Sequence, residues 1–147
     1  MDVPADILSK LERFCAFQER CESDVRKKLT SMPCSGAQRD EIIRRLREHD
    51  FLNDRRFVEV FVRSKVHECW GKLKIRQALF AKSVDVQLID EFLNAIDEDE
   101  YAQMIADVVM KWKRMHSDEA DDRQKLFRYM LTRGFSIGEV MAAMNNE

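Results

Sequence analysis

The stretch 53–84, NDRRFVEVFVRSKVHECWGKLKIRQALFAKSV, contains the pattern that decides the fold. Its apolar residues recur at intervals that place them on one face of a helix, first before Gly71 and then again after it. In order, these residues are Phe57, Val58, Phe61, Val62, Leu73, Ile75, Ala78 and Leu79. The stretch therefore predicts two amphipathic helices joined by a break near Gly71. No segment of strict apolar and polar alternation favours a strand.

The same pattern occurs three times along the chain, with a period of about fifty residues. Aligning Val25 with Ile75 and Leu126 also aligns the breaks that follow. The break positions are Pro33, Ser83 and Gly134, followed by the apolar residues Cys34, Val84 and Phe135 and then by the polar residues Ser35, Asp85 and Ser136. Three-helix units with one apolar face each build a continuous core when they stack.

We therefore predict an all-α fold in which three tandem three-helix units form an elongated, curved array. The predicted units are residues 1–52, 53–97 and 98–147. The alternative is one helical domain whose apolar stripes coincide by chance. The repeat is favoured because the chemistry of the breaks recurs together with the apolar positions.

Polar residues that commonly cap helix N-termini precede several of the apolar stripes. We expect this role for Ser23, for Asn53 or Asp54, for Asp85 and for Ser136. Ser136 and Glu139 have the spacing of a capping box, in which each side chain bonds to the other residue's free amide. We expect a loop around Gly36 to accommodate additional residues in the first unit. We expect the polar insertion 116–123 to be a mobile loop.

Charge is strongly segregated although the net formal charge is only −2. Residues 55–82 include eight basic and two acidic residues, whereas residues 83–107 include eight acidic residues and no basic one. The acidic run 97–100 has an ordinary explanation, because carboxylates stabilise a helix N-terminus. Segregation of this kind affects solubility and the choice of partner rather than the fold.

Composition indicates a globular protein, since 45% of the residues are hydrophobic and only four are glycine. No apolar run approaches the roughly 18 residues of a membrane span, so we expect no membrane association. The N-terminus carries acids where a secretory signal carries bases. These features predict a cytoplasmic protein, which we expect to be a monomer.

No enzyme, metal or cofactor motif is apparent in the sequence. Cys15, Cys21, Cys34 and Cys69 include no CxxC pair, so the spacing favours neither a zinc site nor a disulfide framework. The segment WGK at 70–72 lacks the flanking glycine and hydroxyl of a phosphate-binding loop. We therefore expect a protein without catalytic activity, cofactor or bound metal.

The chain resembles the RecX family, which modulates the RecA recombinase. The resemblance extends over nearly the whole chain and is strongest over residues 50–84. It rests on Asp54, Arg56 and Phe57, on FVRSK at 61–65, on Trp70, Gly71 and Lys72, on Ile75, Arg76 and Leu79, on the break at 82–84, and on RGFS at 133–136. The family commonly has glycine where Ser83 stands and proline where Lys72 stands.

The resemblance implies a protein that lies in the helical groove of the RecA filament on single-stranded DNA and limits filament growth. Residues suited to contact protein carboxylates or phosphates are Arg56, Arg63, Lys65, Lys72, Lys74, Arg76 and Lys82. We expect Arg56 and Arg63 to face solvent, with Glu59 spaced to pair with either one. Any binding to single- or double-stranded DNA would be weak and independent of sequence.

Alternatives remain for the function and for single residues. The chain could be a helical DNA-binding protein that acts without RecA, or an adaptor built from helical repeats, and the charge run could be only a solvated face. Trp70 could stack on a base, although packing over the turn between helices is favoured. We expect Trp112 to be buried, with Met130, Met141 and Met144 as core residues.

Overall fold

The structure, a computed structural model, describes residues 2–116 and 123–145. The interior of the predicted loop at 116–123 lies outside the described residues. Nine helices occur in the described part of the chain, and no strand occurs there. They are α1 (Ala5–Phe17), α2 (Glu22–Leu29), α3 (Gly36–Glu48), α4 (Asp54–His67), α5 (Lys72–Ala81), α6 (Val86–Asn94), α7 (Glu98–Met115), α8 (Arg123–Thr132) and α9 (Ile137–Asn145).

The helices form three groups of three, and each group has its own apolar core. The helix pairs that pack most closely all lie within one group. The most deeply buried core residues include Leu11, Val25 and Ile42 in the first group, Val58, Ile75 and Ile89 in the second, and Val109, Met130 and Val140 in the third. The predicted all-α repeat fold is confirmed, and the domain boundaries at 52/53 and 97/98 stay a prediction.

Four helices end in the same way, with one residue in the left-handed region of backbone conformation. These residues are Asp50 (φ 61°), Cys69 (φ 63°), Ser83 (φ 62°) and Gly134 (φ 98°). In each case the next amide donates to a carbonyl five residues earlier, as Phe135 does to Met130 at 3.3 Å. This is the Schellman ending, which satisfies the last carbonyls of a helix.

The equivalent break in the first unit is different. Pro33 has no amide hydrogen, so the α2 end uses Met32 N–H, which donates to Leu29 at 3.0 Å, and Cys34 N–H, which donates to Met32 at 2.9 Å. The aligned positions therefore share their place between helices but not their hydrogen bonds.

Most of the predicted helix starts are confirmed. Asn53 accepts from the Arg56 amide at 2.9 Å, and Asp85 accepts from the Gln87 amide at 3.0 Å. Ser136 and Glu139 form the predicted reciprocal bonds, at 3.1 Å and 2.8 Å. The side chain of Leu52, which directly precedes the second unit, is 2% exposed and packs into the core of the first.

Two expectations about the first unit are wrong. Helix α2 begins at Glu22, before Ser23, and the Cys21 amide that precedes it donates to the Asp24 carboxylate at 3.2 Å. Gly36 is the first residue of α3 rather than part of a loop. The additional residues of the first unit therefore lengthen α3 to 13 residues, compared with nine in both α6 and α9.

Two predicted core residues lie on the surface. Leu73 is 51% exposed and Met141 is 46% exposed, because their neighbours Ile75 and Val140 fill the inward positions of α5 and α9. Trp112 is buried as predicted, with 7% of its surface exposed. Met130 and Met144, at 0% and 6% exposure, are also confirmed as core residues.

The second and third units meet through two turns. The Gly71 amide donates to the Arg133 carbonyl at 2.7 Å, and the Leu73 amide donates to the Gly134 carbonyl at 3.1 Å. A Cβ atom placed on Gly71 would lie 2.2 Å from the carbonyl carbon and oxygen of Gly134. The two backbones therefore approach so closely that only glycine fits at position 71 without a shift.

The Gly71→Ala substitution should destabilise the junction between the second and third units. The added methyl group meets backbone rather than a flexible side chain, and overpacking of this kind typically costs about 1–3 kcal/mol. Urea unfolding followed by circular dichroism measures the loss. Gly138→Ala is the matched control, because nothing lies within 4 Å of its added Cβ. A similar stability for the two variants would contradict the described contact.

Candidate functional site

Arg56 belongs to the junction between the first and second units. Its guanidinium pairs with the Glu19 carboxylate, and it also donates to the Asp50 carboxylate at 3.0 Å and to the Asp50 carbonyl at 2.8 Å. The expectation that Arg56 faces solvent holds only in part: its side chain is 37% exposed, but these partners engage its guanidinium. Of the two partners that sequence spacing allows for Glu59, Arg56 and Arg63, the structure shows Arg63.

Lys82 lies at the same junction. Its Nζ donates to Asp24 Oδ1 at 2.9 Å, which joins the end of α5 to the first turn of α2. Burial alone would raise the pKa of Asp24, but the hydrogen bonds from Lys82 and from the Cys21 amide outweigh it and hold the pKa below its usual range. Cys21 is 1% exposed and packs into the core of the second unit although it belongs to the first.

Three of the predicted lysines lie against aromatic rings. The Nζ atoms of Lys65 and Lys74 are 4.6 Å and 4.1 Å from the centre of the Trp70 ring, and Lys72 Nζ is 4.5 Å from the centre of the Tyr101 ring. Lys65 also pairs with a carboxylate, that of Glu68, at 3.0 Å. A contact between a cation and an aromatic ring is worth about 0.5–1 kcal/mol at exposed sites.

Trp70 is half-buried and packs against the core of the second unit. This placement supports the packing interpretation over base stacking, because the two lysines already lie over the ring.

Tyr101 is part of the junction between the second and third units. The Lys72 amide donates to the Tyr101 hydroxyl at 3.0 Å, and that hydroxyl in turn donates to Glu139 at 3.3 Å. Burial raises the pKa of Tyr101.

Arg63 and Arg76 are the most exposed of the predicted cations. Arg63 pairs with Glu59 on its own helix at 2.9 Å, and Arg76 pairs with Asp90 on α6 at 2.9 Å. The side chains are 71% and 44% exposed. Solvent-exposed pairs of this kind contribute little to stability, about 0–1 kcal/mol. Their guanidinium groups can therefore exchange an internal carboxylate for a partner's oxyanion at low cost.

A cleft of about 700 Å³ lies between the first and second units. Sequence reasoning identified Lys65 and Lys82 among its lining residues but missed the contribution of the first unit. That contribution includes Arg20, Lys27 and Lys28. The three adjacent basic residues 26–28 indicate a basic surface on the first unit, but only weakly, because the same segment also contains acidic residues.

The described residues 2–116 and 123–145 include no group of three histidine, cysteine or carboxylate side chains arranged as a metal site requires. No helix in the same ranges is long and apolar enough to cross a bilayer. Burial raises the pKa of the Cys15 thiol to about 11, which keeps it protonated and unreactive at neutral pH.

Comparison with known proteins places this arrangement in a family. The family model "RecX, second three-helix domain" matches residues 53–93, and "RecX, third three-helix domain" matches residues 97–144. Together the two matches cover more than half of the chain. The chain belongs to the RecX family. All seven predicted cations, from Arg56 to Lys82, lie within the range matched by the second domain.

Several curated proteins named "Regulatory protein RecX" are similar to the chain. The protein of Chlorobium phaeobacteroides is 31% identical over 134 residues, which is 90% of this chain and 87% of that protein. The protein of Yersinia enterocolitica is 27% identical over 163 residues, 96% of this chain and 97% of that protein. The match to the protein of Clostridium acetobutylicum, at 28% identity, covers 87% of this chain but only 64% of that protein.

Two solved RecX structures have the same fold. A crystal structure of regulatory protein RecX superposes with a TM-score of 0.85 at 24% identity, covering 96% of this chain and 72% of that one. RecX from Lactobacillus salivarius gives a TM-score of 0.79 at 23% identity and covers 97% of both chains. At this level of identity the likeness establishes the fold.

Replacing Asp24 by asparagine should weaken the junction between the first and second units. The carboxylate has a lowered pKa in the folded protein, so its contribution is complete above its unfolded pKa of about 3.9 and is lost as the pH falls through the lower folded value. We expect Asp24→Asn to lower the free energy of unfolding by about 1 kcal/mol at pH 7.

Urea unfolding of wild type and variant across a pH series tests this expectation. The difference between the two proteins should shrink toward zero in acid, where Asp24 itself is neutral. Asp40→Asn is the control, because the Asp40 side chain is 69% exposed in its pair with Arg26 and should contribute little at any pH. A difference for Asp24→Asn that persists unchanged at low pH would contradict the role of its charge.

Proposed function

We propose that this member of the RecX family is a non-enzymatic regulator that binds the RecA filament in the cytoplasm. It lies in the filament groove, limits extension, and thereby inhibits the ATPase and strand-exchange activities of RecA. The observation that carries the proposal is the exposed pair Arg63 and Arg76 within the second unit of a RecX-family chain. Their carboxylate partners are themselves exposed and easily exchanged.

The seven cations divide into two roles under this proposal. Arg56 and Lys82 connect the first and second units, and Lys72 lies at the contact with the third. They position the units relative to one another. Arg63 and Arg76 contact the filament directly, with Lys65 and Lys74 beside them around Trp70. Arginine suits this task because its planar guanidinium binds carboxylates and phosphates with two parallel hydrogen bonds.

Filament binding needs no bond chemistry to inhibit extension. A chain of stacked units can contact two neighbouring protomers at once, and simultaneous contacts raise the apparent affinity well above that of either one. A protein bound in this way favours the filament geometry that it fits and opposes the addition or rearrangement of protomers. Where the partner's anions are phosphates, binding weakens as salt rises, because condensed counterions are released.

The double variant Arg63→Ala, Arg76→Ala tests the proposal. RecA is assembled on circular single-stranded DNA, and ATP hydrolysis and strand exchange are followed as the protein is titrated. Wild type should inhibit both activities. We expect the double variant to require at least about tenfold more protein, because each lost charged hydrogen bond is worth about 1.5–3 kcal/mol.

The chain offers a closely matched control in its first unit. Arg26 pairs with Asp40 across two helices as Arg76 pairs with Asp90, and Arg44 pairs with Glu41 and Glu48 on its own helix as Arg63 does with Glu59. The variant Arg26→Ala, Arg44→Ala should inhibit like wild type. Wild-type protein without effect on RecA would overturn the proposal. If the protein has no effect on RecA but binds tightly to bare single-stranded DNA, a DNA-binding protein that acts independently of RecA would be favoured.

A further inference from the structure

The cleft between the first and second units has the form of a binding site. One wall is built by the end of α1 and by α2, and the other by α4, with Lys82 at the end of α5 closing one side. Its volume of about 700 Å³ falls within the range of about 300–1,000 Å³ typical of ligand sites. The apolar part of the lining includes Val60, which is 41% exposed although it lies in the middle of a helix.

The polar lining carries a clear excess of positive charge. The cations are Arg20, Lys27, Lys28, Lys65 and Lys82, whereas the carboxylates are Glu19 and Asp24. Both carboxylates are already engaged, by Arg56 and by Lys82. Among the described residues, Arg20, Lys27 and Lys28 have no carboxylate partner. The site therefore attracts anionic groups and has no free carboxylate to repel them.

The aromatic rings of the cleft are poorly available for stacking. The Arg20 guanidinium lies 3.8 Å from the centre of the Phe14 ring, and Lys28 Nζ lies 5.4 Å from it. Lys65 Nζ is 5.4 Å from the centre of the Phe61 ring, and Phe57 is only 5% exposed. Binding of single-stranded nucleic acid relies on bases that stack on open aromatic faces. Cations already occupy positions over Phe14 and Phe61, so the cleft favours a different anionic ligand.

We propose that this cleft binds an acidic segment of a partner protein that carries an apolar side chain between its carboxylates. The apolar side chain packs against Val60 and the edges of Phe14 and Phe61. The flanking carboxylates pair with Lys27 and Lys28 on one wall and with Lys65 on the other, where they replace Glu68 as the partner of Lys65. Carboxylates suit these ammonium groups, and the small apolar area adds affinity through burial. The proposal goes beyond the proposed function: the cleft shares Lys65 with the filament surface but does not depend on Arg63 or Arg76.

Direct binding to a defined peptide tests the proposal. The probe is a fluorescein-labelled octapeptide with leucine and phenylalanine at its centre and three glutamates on each side, and its anisotropy is followed at low ionic strength. The comparison probes are the same peptide with serine at both central positions, the same peptide with lysine in place of glutamate, and a labelled oligothymidylate. Wild type should bind the first peptide at least tenfold more tightly than any of the others.

Two variants locate the binding site. The double variant Lys27→Glu, Lys28→Glu should weaken peptide binding at least tenfold. Val60→Glu, which places a carboxylate on the apolar wall, should do the same. Lys111→Glu, Arg114→Glu makes the same change of charge on exposed positions of α7 and should stay within twofold of wild type. Circular dichroism spectra confirm that each variant is folded.

Each outcome decides for or against the cleft. Absence of peptide binding by wild type, or an equal loss in the α7 variant, would overturn the proposal. Tighter binding of the oligothymidylate that is lost with Lys27→Glu, Lys28→Glu would show a nucleic-acid site instead. Peptide binding by the variant Arg63→Ala, Arg76→Ala separates this proposal from the proposed function. This variant should lose inhibition of RecA but bind the peptide as wild type does. If the peptide does not bind, the proposal about the cleft fails, but the proposed inhibition of RecA is not thereby contradicted.

Discussion

The structure depends on the approach of two backbones at the junction between the second and third units. The amides of Gly71 and Leu73, at the start of α5, both donate to carbonyls of the turn after α8, those of Arg133 and Gly134. Position 71 excludes a side chain, since a Cβ there would meet the Gly134 carbonyl at 2.2 Å. The Arg133 side chain adds a bond to the Cys69 carbonyl at 3.0 Å. The relative orientation of these two units is thus fixed by backbone groups and by glycine's lack of a side chain, with the Arg133 and Tyr101 side chains adding bonds beside them.

The junction between the first and second units is held in another way. Glu19 and Asp24 of the first unit pair with Arg56 and Lys82 of the second, and the Cys21 side chain is inserted into the second core. Ion pairs at partly exposed positions are screened by salt and sensitive to the protonation of their carboxylates, whereas backbone hydrogen bonds between turns are not. The two junctions therefore respond differently to solution conditions. The junction that is sensitive to salt and pH, between the first and second units, is the one that borders the cleft.

Local sequence patterns predicted the elements well and their tertiary partners poorly. Apolar spacing and polar caps at Asn53, Asp85 and Ser136 act within a few residues, so the repeat could be derived from the printed sequence. Glu19, which pairs with Arg56 across the junction, and Asp24, which pairs with Lys82, lie 37 and 58 residues away, and no spacing rule links them. The sequence therefore predicts both residues as partner contacts, although they connect units. The cleft was missed for the same reason, because its two walls come from different repeats. The exposed positions of Leu73 and Met141 depend on which neighbour fills the core, which a stripe of adjacent apolar residues leaves open.

The separation of the interior into three cores has a consequence for how the chain acquires its structure. Apart from Cys21, which packs into the second core, the buried residues of each core come from one unit, and the most closely packed helix pairs also lie within one unit. Contacts of short sequence separation need little loop closure, and chains rich in them fold quickly. A unit of this kind can collapse as soon as its own residues have been synthesised, before the rest of the chain exists. For the same reason, opening of a terminal unit exposes its own core while the other two retain theirs, so partial unfolding begins at the ends of the array.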